Sequence, residues 1–155
     1  MIFLLNIIGP SWRENAALIE KLLPFLKESG LKIGVSIQLK LDEAESAGRE
    51  TVKNFSAAGA DQVMITRGKE GVAYNKSGGI TPFRRIAARY FSSVDILIGV
   101  GYSDPSPTVA VYSGNGPLPS ELLNNPNLMA IIGNSLSSSF PMPCFQYGAA
   151  GNLAG

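Results

Sequence analysis

In IFLLNIIGPSWRENAALIEKLLPFLKESG, residues 2–30, an apolar run stops at a glycine and resumes as a periodic pattern. Residues 2–8 are nearly all apolar with β-branched members, which predicts a strand buried on both faces. Leu18, Leu22, Phe25 and Leu26 then recur at the spacing of one helix face, with Glu20, Lys21, Lys27 and Glu28 elsewhere. Pro24 is expected to kink this helix and Gly30 to close it. A strand, a turn opening on glycine and an amphipathic helix form the setting in which phosphate-binding loops occur.

The same alternation continues along the chain. Strands are expected over 31–39, 62–66, 71–74, 95–101, 108–112 and 128–132, with a short one over 144–147. Helices are expected from about Arg49 to Ala58, stopped by Gly59, and over 83–91 behind Pro82. Strands alternating with helices imply one α/β domain over residues 1–155, a doubly wound and mostly parallel sheet covered on both faces.

Composition narrows the function classes. With 45% hydrophobic and 16% charged residues the chain reads as soluble and globular, and its formal charge of +1 argues against broad adhesion to nucleic acid or anionic membrane. The opening apolar run is too short for a membrane span and lacks a basic leader. Cys144 is the single cysteine, so no internal disulfide forms, and a reducing, cytoplasmic setting is expected. There is no histidine, which removes His-dependent triads and His-ligated zinc.

A P-loop reads G-x-x-x-x-G-K-[ST], with glycines that let N–H groups surround phosphate, a lysine that neutralises it and a hydroxyl that ligates magnesium. Placing Gly9 on the first glycine sets Glu14, Asn15 and Ala16 on the other three positions. Losing the lysine removes about 1.5–3 kcal/mol, and Glu14 adds about 1–4 kcal/mol of repulsion if its carboxylate lies about 4 Å from a phosphate oxygen. Tight nucleoside triphosphate binding in the ordinary geometry is therefore not expected. Arg13 offers a displaced positive charge on the first helical turn.

Several landmarks, in order, resemble the MobB family of molybdopterin-guanine dinucleotide biosynthesis adaptor proteins. They are LIEKLLPFLKESG after the loop, AGRETVKNFSAAGADQVMI at 47–65, DILIGVGY at 95–102, NPNLMAIIGNS at 125–135 and FPMPCFQY at 140–147. The resemblance implies a P-loop NTPase-like fold and a family site for GTP and magnesium formed by the first strand, the loop and the first helix. It also implies assistance to a partner that joins a nucleotide to molybdopterin, a homodimer, and a closing helix past Gly155 that this sequence lacks. Carried onto this chain, the site covers Gly9, Pro10, Ser11, Trp12, Arg13, Glu14, Asn15, Ala16 and Ala17, with Gly101 and Tyr102 from the DILIGVGY turn.

Three departures from the family pattern remove phosphate or metal chemistry. The P-loop side chains are replaced, a histidine-rich family segment becomes SIQLKLDE at 36–43, and the acid of the family's Val-Glu-Gly-Phe corresponds to Val100. The reading is an accessory protein of molybdenum cofactor biosynthesis with weakened or lost GTP binding and no catalytic residue of its own. One alternative is a working GTPase with Arg13 as the cation and Asp42 or Glu43 near the metal; another is a small-ligand module in the vacated cleft.

Other candidates have plainer readings beside the functional ones. Asp42, Glu43 and Glu45 suit a metal patch or a solvated acidic loop. Gly99 and Gly101 permit close backbone approach to a ligand that Tyr102 and Asp104 could contact, or are ordinary loop punctuation. Arg84, Arg85 and Arg89 share a helix and suit an anionic pterin, a partner's acidic face or plain solvent. Trp12, expected in the opening loop, could stack on a ring or fill the phosphate space. Cys144 reads as a small buried hydrophobe.

Overall fold

The computed structural model describes residues 2–9, 12–39, 45–67, 83–100, 102, 105–112, 124–132 and 144–145. Its elements are β1 (Phe3–Ile8), α1 (Trp12–Glu28), β2 (Ile33–Leu39), α2 (Glu45–Ala58), β3 (Gln62–Arg67), α3 (Phe83–Tyr90), β4 (Ile96–Val100), β5 (Thr108–Val111), β6 (Leu128–Ile132) and β7 (Cys144–Phe145). The strands form one seven-stranded sheet in the order β3-β2-β4-β1-β5-β6-β7. Every described pairing is parallel. The sheet is thus the doubly wound α/β architecture expected from the alternation of elements.

Most elements fall where the sequence places them, with informative shifts. α2 begins at Glu45 rather than near Arg49. Trp12 is the first residue of α1, not part of the loop before it. α1 buries Leu18, Ile19, Leu22, Leu23 and Leu26, whereas Phe25, expected on the same face, is half-exposed. The expected strand at 71–74 lies outside the described residues.

α1 and α2 cover one face of the sheet and α3 the other, giving two cores. The α1 face carries an unbroken apolar row across six strands: Ile65, Ile37, Val100, Ile7, Val109 and Ala130. One residue along each strand the side chains point the other way. On the α3 face that neighbouring row reads Met64, Ser36, Gly99, Asn6 and Thr108.

The amino ends of the strands are held by two aspartates on either side of the start of β2. Asp61 accepts from Ile33 N–H and Asp95 from Lys32 N–H, each at 2.8 Å. In return the N–H of Asp61 donates to Ile33 O, and that of Asp95 to Lys32 O. Lys27 at the end of α1 also pairs with Asp61 at 2.9 Å, tying helix to sheet. Gly30 and Gly59 end α1 and α2 with φ of 81° and 128°, the left-handed region that glycine enters without a Cβ penalty.

Candidate functional site

The chain leaves β1 toward β2 on one side of the sheet and leaves β4 toward β5 on the other, although β1 and β4 are neighbours. Diverging connections open a crevice outside the carboxyl ends of these strands, where ligands bind in open α/β sheets. Gly9, the first turn of α1, Val100 and Tyr102 border it. The fold therefore brings together the residues around Gly9 with those around Tyr102.

Side-chain geometry is described for part of this crevice. Asn15, which the sequence register expects at the P-loop lysine position, is only 4% exposed and turned inward. It lies so close over Gly9 that a Cβ there would collide with its Oδ1 and stand 3.1 Å from Val111 Cβ. Among the described residues that Oδ1 has no hydrogen-bond partner. There the chain presents a neutral carboxamide whose oxygen lies over Gly9. Ala16 is buried in the core beneath α1, and Ala17 is exposed. Glu14 is partly buried in the first turn, where a carboxylate suits the macrodipole. Trp12 and Arg13 open the helix, while Pro10, Ser11, Gly101, Asp42, Glu43 and Asp104 lie outside the described residues.

Val100 is central in the apolar row, paired with Ile7 on one side and Ile37 on the other. Its neighbourhood suits a hydrocarbon, not a metal-directed carboxylate. Among the described residues, no group of three His, Cys, Asp or Glu side chains could hold a metal ion. No described helix is long and apolar enough to cross a membrane.

On the α3 face Tyr102 folds back over the sheet and is 6% exposed. Its ring stacks on Phe83 with centroids 4.6 Å apart, and its hydroxyl meets Ser36 Oγ at 2.6 Å. Its carbonyl oxygen accepts from Asn6 Nδ2 at 3.0 Å. The space over Gly99 is taken by the Phe83 ring, whose Cε1 would stand 2.6 Å from a Cβ there. Gly99, read either as a point of close approach for a ligand or as ordinary punctuation, is approached instead by an aromatic side chain of the protein's own. Ser36 and Asn6, which sequence reasoning passed over, make the polar network that fixes Tyr102. The signal was a lone asparagine inside an apolar run.

At the opposite, amino edge of the sheet lies an apolar cavity of about 290 Å³, lined by Leu5, Leu22, Leu26, Leu31, Val109 and Met129 among others. Asp95 is its one charged lining residue.

A family model described as molybdopterin guanine dinucleotide synthesis protein B matches residues 4–134. The chain belongs to the MobB family. Two solved structures share its fold. A crystal structure of molybdopterin-guanine biosynthesis protein B (mobB) aligns at 19% identity and a TM-score of 0.58, covering 98% of this chain and 94% of that one. MobB of Bacillus subtilis aligns at 21% identity and a TM-score of 0.55, covering 97% and 93%. Among curated proteins no significant match is found. The family resemblance and its P-loop NTPase-like, doubly wound fold are thus borne out, and membership links the chain to molybdopterin guanine dinucleotide synthesis.

Proposed function

We propose that this chain is an accessory protein of molybdopterin guanine dinucleotide synthesis that binds guanine nucleotide weakly or not at all and acts by association with a partner protein. The observation that carries this reading is Asn15. A phosphate entering above Gly9 would meet a buried amide oxygen in place of a lysine ammonium. Losing that charge-assisted bond costs about 1.5–3 kcal/mol, ten- to a hundredfold in affinity. Ala16 supplies no hydroxyl for magnesium, and the apolar setting of Val100 supplies no acid.

Calorimetric titration with GTP and magnesium tests the reading. No saturable heat is expected in the micromolar range, and no turnover. Micromolar affinity with measurable hydrolysis would refute it and favour a GTPase using Arg13. In that case Arg13→Ala would abolish the binding.

A further inference from the structure

α3 sets two of its three arginines against the macrodipole, at its start, and only Arg89 with it, in the last turn. Its buried side is made by Phe83, Ile86 and Ala87, and Arg84, Arg85, Ala88 and Arg89 are all exposed. Arg84 and Ala88 form one i, i+4 column, and Arg85 and Arg89 form the adjacent one. The eight residues contain three arginines and no acid.

Three local rules are broken together. Arg84 and Arg85 lie in the first turn, where the macrodipole disfavours positive charge and no acid offsets them. Arg85 and Arg89 repel across one turn. No ion pair to any of the three exists among the described residues, where Lys27–Asp61 is the salt bridge formed. α1, by contrast, follows the dipole rule, with Glu14 in its first turn and Lys27 in its last. Local choices that oppose the fold mark places selected for something other than folding.

We propose that the Arg84, Arg85 and Arg89 face of α3 is a docking surface for an acidic face of a partner protein. Arginine forks bind carboxylates in bidentate fashion, and arginine and tyrosine are enriched where interfaces concentrate their affinity. Tyr90 continues the patch, half-exposed, with the Arg89 guanidinium 5.4 Å from its ring centroid. The surface is a convex helix side, which suits a macromolecule better than a compact anion. Three cations on one short helix, in a chain of net charge +1, make too small a footprint to track a nucleic-acid backbone. Carboxylates on a protein are the occupant that remains.

The choice of probe rests on the adaptor reading above: the enzyme that joins the guanine nucleotide to molybdopterin. Its binding is measured for the full chain and for Arg84→Glu/Arg85→Glu/Arg89→Glu, with an acidic helical peptide and duplex DNA as further probes. The variant is expected to bind the enzyme at least about tenfold more weakly. Its melting temperature is expected to stay within about 2–4 °C of the native chain's, because Arg84→Glu and Arg85→Glu relieve the first-turn dipole conflict while Arg89→Glu sets an acid in the last turn, so lost binding at an unchanged melting temperature is not lost folding. Equal binding by both chains overturns the docking surface and leaves the adaptor reading standing. If neither chain binds the enzyme, the adaptor reading falls. The surface then stands only if the peptide is held by the native chain and released by the variant. Duplex DNA held more tightly than either protein probe, and lost in the variant, overturns a protein partner in favour of nucleic acid.

Discussion

Gly99 and Tyr102 show how single residues set the crevice. A methyl group at position 99 would stand 2.6 Å from Phe83 Cε1. Gly99→Ala is therefore expected to push the ring off the sheet and destabilise the fold by about 1–3 kcal/mol, read as a lowered urea midpoint with an unchanged slope. The Tyr102 hydroxyl and Ser36 Oγ, 2.6 Å apart, are both buried. Tyr102→Phe is expected to cost about 0.5–1.5 kcal/mol, and a double-mutant cycle with Ser36→Ala should return a coupling of that order. Additive single effects would mean that the contact contributes nothing. Neither role is visible in the sequence, because a glycine in DILIGVGY looks alike whether its space is filled by a ligand or by the protein's own phenylalanine.

At the scale of elements, the aspartates before β3 and β4 align the parallel strands. The Lys27 ammonium holds the Asp61 carboxyl below its ordinary value, and Ile33 N–H adds to this. A folded-state value lowered beneath the unfolded one, about 3.9, stabilises the protein above that pH, and the contribution disappears as pH falls through the lowered value. Thermal melts of Asp61→Asn and the native chain should therefore differ at pH 7 and converge on acidification toward pH 2. The neutral-pH difference is expected to be about 1 kcal/mol, discounted for the exposed pair. A constant difference across that range would show that the carboxylate charge is irrelevant. The periodicity of 18–26 announced α1 correctly, but its buried stripe is centred on Ile19 and Leu23 as well as Leu18 and Leu22. Which side of a helix is buried depends on the sheet it meets.

At the scale of the whole molecule, the two faces of the sheet divide the labour. The α1 face runs apolar from Ile65 to Ala130, and Val100 is its centre. Val100→Glu is expected to lower stability by about 3–5 kcal/mol without creating GTP affinity, measured by denaturant unfolding and calorimetry. A stable variant that gained magnesium-dependent nucleotide binding would show that the site lacks only its acid. The order of strands and helices, and the family it belongs to, were legible in the sequence because hydrophobic period and turn residues are local signals spread over the whole chain. The expectation that the lysine, hydroxyl and acid are replaced also came from the sequence, since it rests on a register counted from Gly9. Which side chains pack there was decided only by tertiary structure: Asn15 over Gly9, Phe83 over Gly99, and Tyr102 fastened to Asn6 and Ser36. Those contacts join residues as many as 96 positions apart, and the pairing of such distant side chains is fixed by strand register and helix placement, which no local pattern specifies.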